Sequence, residues 1–355
     1  MCQGRRAGVG RSAQGPVKQA MRLGSLPGPG RDGTLVVIAA DSRRAVRTPA
    51  GIPTLQAALD DWGAAEPQLN AVAKQLADEP DSGEAIDLDG LHSPLPRAYQ
   101  WADASTYLTH MERIRAARGM ALPPGHDREP ILYQSGSDAF LTPRQDIELW
   151  DESWGLDLEA TVAVVTDDVP RGTPAGAAAS HIKLVMLTND LTFRNLMPAE
   201  YAKGVGPYRA KPERAYAPVA VTTDGLGEDW SGTLLHATVR SWVNGELLGS
   251  VDCGRDCAFD FSELIAYMTM TRSLAAGTII GSGTVSNRDE TAGFGCLAEK
   301  RAVETTRSGE AITPLLRDGD IVRIEAFDAA STSLFGALEQ RVTAPPSNPS
   351  PGGHP

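Results

Sequence analysis

Residues 154–173 read WGLDLEATVAVVTDDVPRGT, and the apolar segment inside them, EATVAVV at 159–165, is the one on which the fold class turns. It reads as a strand, and HIKLVML at 181–187 reads as another. Further strands are predicted at 218–221, 234–243, 321–326 and 333–335, with a β-branched one at 33–39 followed by a turn at 41–44. Helices are fewer. Leu55, Ala58, Leu59 and Trp62 recur at helical spacing in 54–76, behind Pro53. A second helix is predicted over 260–275, opened by the N-cap region FDFSE at 259–263. Strands of mixed spacing with few helices predict a β-rich α+β fold rather than a doubly wound sheet. No glycine-rich phosphate loop follows any strand, so nucleotide binding has no support.

The chain has 355 residues, 41% of them apolar, enough for a real core and long enough for two domains. Its 33 Lys and Arg against 45 Asp and Glu leave a net charge of −12, which repels phosphate backbones and argues against nucleic acid as a partner. No apolar run approaches the length of a membrane span. Four cysteines are too few for a disulfide framework: Cys2 is terminal, Cys296 stands alone, and the pair Cys253 and Cys257 lacks the further ligands of a zinc set. A cytoplasmic location is expected.

Residues 1–20 contain no acidic residue and read as a disordered leader, or as an extension upstream of a natural start at Met21. Residues 21–94 are expected to form a small N-terminal domain, since the pattern dissolves near 80–96 into a plausible link. The catalytic domain is expected over 95–342, and a Pro/Gly/Ser tail over 343–355.

Four patches place charged groups in segments otherwise built for burial. They are WADASTYLTH at 101–110, WGLDLEATVA at 154–163, LVMLTNDLTFR at 184–194, and Lys211 in a Gly/Pro-punctuated loop. Side chains alternate along a strand, so Glu159 and Thr161 share a face. A carboxylate such as Glu159 on an apolar strand must be paired, with Lys211 as the candidate, or must bind metal. Asp190 suits either a turn cap or a ligand, and His110 either a solvated helix face or catalysis. Carboxylates delivered from separate strands are what a hard divalent cation wants.

With these patches in order, the chain resembles the fumarylacetoacetate hydrolase family over roughly 95–342, and more loosely from Met21. The stretches that carry the resemblance are YQSGSDAF, WGLDLEATVAVVTDDVPRGT, TNDLTFRNLMPAEYAKGVGPYRAKP, AAGTIIGSGTVSN and LRDGDIVRIEAFD. It implies a mixed β-roll catalytic domain around Mg²⁺ or Mn²⁺, and a homodimer. It also implies metal ligands Asp103, Glu159 and Asp190, and a water-activating His110 oriented by Glu299 rather than by Glu112. Lys211 would neutralise developing charge, with Tyr133, Arg194, Tyr201 and Thr284 lining the substrate pocket. One departure stands out: the second glutamate of the family's E-x-E motif is Thr161 here, a neutral and poor direct ligand; three carboxylates still hold Mg²⁺, so the metal is expected to be retained, more hydrated and weaker, with a weakened or lost site as the alternative.

The resemblance implies C–C hydrolysis of a β-diketone or acylpyruvate. The Thr161 change leaves open a decarboxylase, tautomerase or cyclase of a 2-oxo or 1,3-dicarbonyl compound. A non-enzymatic binding protein is disfavoured, because a dead site has no physical reason to keep so many costly polar groups in a core.

Overall fold

The computed structural model describes residues 20–204 and 206–345. The leader expected over 1–20 therefore lies, apart from Ala20, outside the described residues, as does the expected tail beyond residue 345.

The strand Ala160–Thr166 is buried at every position, because it is paired antiparallel on both edges, with Ile182–Asn189 and with Thr278–Thr284. A strand covered on both faces is apolar throughout rather than alternating, which explains its composition. Its two faces serve two cores. Val162 and Val164 pack into a core shared with Val239, Val322 and Ile324 of a second sheet. Ala163 and Val165 pack with Leu55, Leu59 and Leu69 of the N-terminal helices.

The large sheet is mixed. Thr278–Thr284 pairs parallel with Gln100–Ala104, which pairs antiparallel with Leu132–Ser135. At the other side Ile182–Asn189 joins Ala220–Thr222, which pairs in turn with Arg22–Leu26. From there Thr34–Ile38 and Arg44–Arg47 continue the sheet, so the strands of the N-terminal segment and the rest of the chain share one hydrogen-bonded surface. The second sheet runs Glu246–Asp252, Thr238–Val243, Ile321–Phe327, Leu338–Thr343, Ile147–Glu148. The α+β class with a small N-terminal part is what the structure shows.

Several boundaries differ from the sequence reading, each for a local reason. The helix predicted over 54–76 is two helices, Leu55–Asp60 and Trp62–Asp78; Asp61 leaves helical geometry and its side chain caps the second at the Ala64 N–H. The helix at 260 has the expected start, a capping box of Asp260 and Glu263, but ends at Thr269. Residues 333–335 form no strand; the last one is Leu338–Thr343, so Thr343 belongs to the sheet. The helix Leu297–Ser308 was not foreseen. Among the described residues no helix is long and apolar enough to cross a membrane.

Candidate active site

The antiparallel pairing of Ala160–Thr166 with Ile182–Asn189 sets Asn189 opposite Ala160, so the chain enters one strand at Glu159 beside the point where it leaves the other at Asp190. The Asp190 N–H donates to the Glu159 carbonyl at 3.0 Å, locking the two together. Asp103 arrives on the parallel neighbour, in register with Gly281. Its Oδ1 accepts the Gly283 N–H at 2.8 Å. A Cβ at Gly281 would lie 2.2 Å from that same oxygen, so only glycine lets the strands close over Asp103. The three carboxyl groups are 2%, 5% and 0% exposed for Asp103, Glu159 and Asp190, and each offers an oxygen within 4.8 Å of the others.

Three buried cations meet them. Lys211 places its ammonium 3.1 Å from Glu159 Oε2 and 2.7 Å from Asp190 Oδ2, with its third partner the Thr192 hydroxyl at 2.7 Å. Arg194 pairs with Glu159 Oε1 at 2.6 Å and with Asp157 Oδ2 at 2.8 Å. Arg214, fully buried, donates from Nε to Asp190 Oδ1 at 2.9 Å while its other nitrogens hold the Gly136 carbonyl and the Ser135 hydroxyl. Tyr133 donates to Asp190 Oδ2, and to Asp103 Oδ2 at 3.3 Å.

Burial pushes all three acids upward. For Glu159 the effect is overcome by Arg194 and Lys211, which hold it below its ordinary value. For Asp190 it is overcome by Lys211 and Arg214, which bring it to about 2. Asp103, buried and beside Asp190, stays well above the usual carboxylate range.

Next to this cluster lies a histidine–glutamate dyad. Glu299 is fully buried in the first turn of Leu297–Ser308, and its Oε2 sits 3.2 Å from His110 Nδ1. Its other oxygen accepts from Ser286 at 2.6 Å and from Arg113. Burial raises the Glu299 carboxyl, but these partners, His110 first, bring it below its ordinary value. Held there as a carboxylate, Glu299 accepts a hydrogen bond from Nδ1–H, which leaves Nε2 as the ring nitrogen with the free lone pair. Glu112 instead faces Arg288 at 3.6 Å, away from the histidine. Cys296 lies 3.9 Å from His110 Nδ1 and its backbone bridges that of Glu159, which joins dyad and cluster. Burial pushes the Cys296 thiol well above its ordinary value, so it stays protonated and is no nucleophile.

The structure thus gathers Asp103, His110, Glu159, Asp190, Lys211, Glu299, Tyr133 and Arg194 in one region. Thr284 pairs with Thr161 across the strands, buried. Tyr201 is 51% exposed, yet its hydroxyl feels Lys211 and Glu159, which puts it at the rim. A cleft of about 350 Å³, lined by Arg194, Arg118 and Arg301, reaches the cluster at Arg194. Sequence reasoning missed Arg214 and Asp157, both wholly buried and charged, and Cys296 as a neighbour of the histidine. Cys253 is buried, Cys257 half-buried, and burial raises both thiols.

Residues 100–343 match the model of the fumarylacetoacetate hydrolase C-terminal domain, and residues 21–97 that of fumarylacetoacetase N-terminal domain 2. The chain belongs to the fumarylacetoacetate hydrolase family. Among solved structures it is similar to the fumarylacetoacetate hydrolase of Exiguobacterium antarcticum, at 18% identity and TM-score 0.62 over 92% of this chain and all of that one. Similar, too, are 5-carboxymethyl-2-hydroxymuconate delta-isomerase from Mycobacterium smegmatis (19%, TM-score 0.58, 92% and 100% covered) and maleylpyruvate hydrolase from a Sphingobium species (16%, TM-score 0.61, 92% and 100%). An uncharacterized protein of Archaeoglobus fulgidus is 26% identical over 219 residues, 62% of this chain and 70% of that protein.

The family implies a divalent cation among Asp103, Glu159 and Asp190, and as they stand these residues do not fit one. Every oxygen of the three carboxyls already faces a protein cation or hydrogen-bond donor. On the same strand face as Glu159 stands the neutral Thr161, whose buried hydroxyl has no hydrogen-bond partner.

Proposed function

We propose that this member of the fumarylacetoacetate hydrolase family is an enzyme that cleaves a C–C bond of a small 2-oxo or 1,3-dicarbonyl acid by hydrolysis. The observation that carries the reading is the His110–Glu299 dyad beside a buried, cation-rich cluster. A histidine whose Nδ1 is held by a fixed carboxylate can take a proton from water through Nε2 and hold it as imidazolium. The hydroxide adds to one carbonyl carbon. The C–C bond next to it breaks, and its electron pair passes into the second carbonyl to form an enolate. His110 returns its proton to the enolate carbon, leaving a carboxylic acid and a ketone. Arg194 and Lys211 supply fixed positive potential where the enolate charge develops, in a site with little water to screen it. Glu299 acts through His110, and Ser286 and Arg113 hold Glu299.

A second reading uses the same groups without attacking water, with His110 moving a proton between carbon and oxygen of an enol. The carboxylates are already tied to cations, an arrangement suited to stabilising an enolate as such. One similar structure is that of a delta-isomerase and another that of a hydrolase, so the fold alone favours neither. Turnover of a panel of acylpyruvates and β-diketones in ¹⁸O-water separates the two. One solvent oxygen in the product acid is expected; product formation without label selects the proton-transfer reading. A homodimer and a cytoplasmic location go with this reading, the first checked by light scattering.

A further inference from the structure

Lys211 and Arg214 are three residues apart in one loop segment, and they take Asp190 by its two different oxygens. The ammonium of Lys211 also touches Glu159, so it sits between two of the three acids, where a shared cation would have to sit. Arg194 completes the arrangement: its Nη2 lies against the second oxygen of Glu159 and against Asp157, to which its Nε donates. The remaining acid, Asp103, is satisfied by a backbone N–H and by Tyr133. Asp157, Glu159 and Asp190 are thereby matched by Arg194, Lys211 and Arg214, three charges against three, in a region where none of the six is more than slightly exposed.

We propose that this is a metal-independent centre, in which the protein's own Lys211, Arg194 and Arg214 supply the positive charge that would otherwise come from a divalent cation.

Two features support the exchange independently of the ion pairs. Thr161 lies on the same strand face as Glu159 and brings a neutral hydroxyl with no hydrogen-bond partner where another carboxylate would raise affinity for a cation. Arg214 is immobilised by more than Asp190: its guanidinium stacks on Trp101 at 4.6 Å and donates to Gly136 and Ser135. A cation entering the cluster would have to displace Lys211 and leave Arg214 in place as a buried like charge, and both count against it.

The proposal rests on the reading of this cluster as the reacting centre, but its test reads binding rather than reaction. The full chain is stripped with chelator and titrated with Mn²⁺ by calorimetry, with free Mn²⁺ followed by its spin-resonance signal. The expected result for the wild type is no site tighter than about 1 mM. A Thr161→Glu, Arg214→Thr double variant, which adds a carboxylate and removes a cation, is expected to gain a site at least tenfold tighter than the wild type. Circular dichroism checks its folding, and Thr161→Glu alone replaces it if the double variant fails to fold. One Mn²⁺ per wild-type chain bound tighter than about 1 mM would overturn the proposal. So would a folded variant with no gain over the wild type, because charge balance would then not be what keeps the metal out. Failure of the ¹⁸O experiment leaves either result unchanged.

Discussion

The carboxylate of Asp157 accepts the backbone N–H of Leu297 at 2.8 Å, and its other oxygen accepts that of Ala298 at 2.9 Å. A residue 140 positions upstream thus caps the helix that carries Glu299, whose own N-cap position, Cys296, makes no side-chain cap. The same carboxylate binds Arg194, so one buried acid positions both the dyad and the cluster. Asp157→Ala is expected to cost roughly 3 kcal/mol, because it leaves Arg194 without one partner and two helix N–H groups unpaired. Urea unfolding measures that loss. Turnover is expected to fall with it, since Glu299 loses its fixed start; a destabilised variant with wild-type kcat would show that Asp157 does not position the dyad.

For His110 the expected effect is on chemistry alone. His110→Ala is expected to lower kcat by about 10²–10⁴-fold while substrate affinity changes by only a fewfold. Glu299→Gln keeps an acceptor for Nδ1 but removes the charge that stabilises the imidazolium, so it is expected to fall between His110→Ala and the wild type. Steady-state and single-turnover kinetics on the responsive substrate decide it. Equal losses in kcat and affinity for His110→Ala would remove the histidine from the role of base.

Stability at low pH reports on Arg214. Burial alone would raise the Asp190 carboxyl, but Lys211 and Arg214, with hydrogen bonds from Lys211 and Tyr133, bring it to about 2. A folded-state value below the unfolded one stabilises the fold above the unfolded value, here near 4, by on the order of 2 kcal/mol. That contribution is lost as the pH falls from about 5 towards 2. Glu159 and Asp103 share the cluster and oppose the charge on Asp190, and the two cations outweigh them. Arg214→Gln removes one of those cations. Its deficit relative to the wild type is expected to be largest above about pH 5 and to shrink as Asp190 protonates in both proteins. A deficit independent of pH would assign Arg214 to packing on Trp101 instead.

The sequence discloses the strands and most of the acids, because both leave local marks. EATVAVV is apolar over its length since it is covered on both faces, and Asp103, Glu159 and Asp190 interrupt apolar runs. The capping box at Asp260 is equally local and is where the reading placed it. The helix Leu297–Ser308 leaves no such mark, for its cap is Asp157, supplied from another strand. Arg214 was invisible for a related reason: in AKPERAYAP a single arginine looks like any solvated charge, and only the sheet shows that it is sealed against Trp101 and Asp190. The break at Asp61 was hidden because the apolar spacing of the two helices runs on without interruption.

The close approach of Gly281 to Asp103 gives a test of the scaffold that changes none of the charged residues. A methyl group there would lie 2.2 Å from Asp103 Oδ1 and 2.7 Å from Trp101 Cη2, and both neighbours are buried with no room to retreat. The strand itself cannot yield, being paired to Asp103 on one side and to Ala163 on the other. Gly281→Ala is therefore expected to cost about 1–3 kcal/mol of stability. It is also expected to depress turnover, because the carboxyl it displaces shares Tyr133 with Asp190. Gly63→Ala is the matched control: its methyl meets open space in the helix Trp62–Asp78, far from any strand constraint. There alanine is expected to gain up to about 1 kcal/mol, with turnover unchanged. Thermal melts and initial rates on the two variants separate a general glycine effect from the specific one. If both variants melt like the wild type, the strands are not closed tightly over Asp103, and the cluster has room that the geometry denies it.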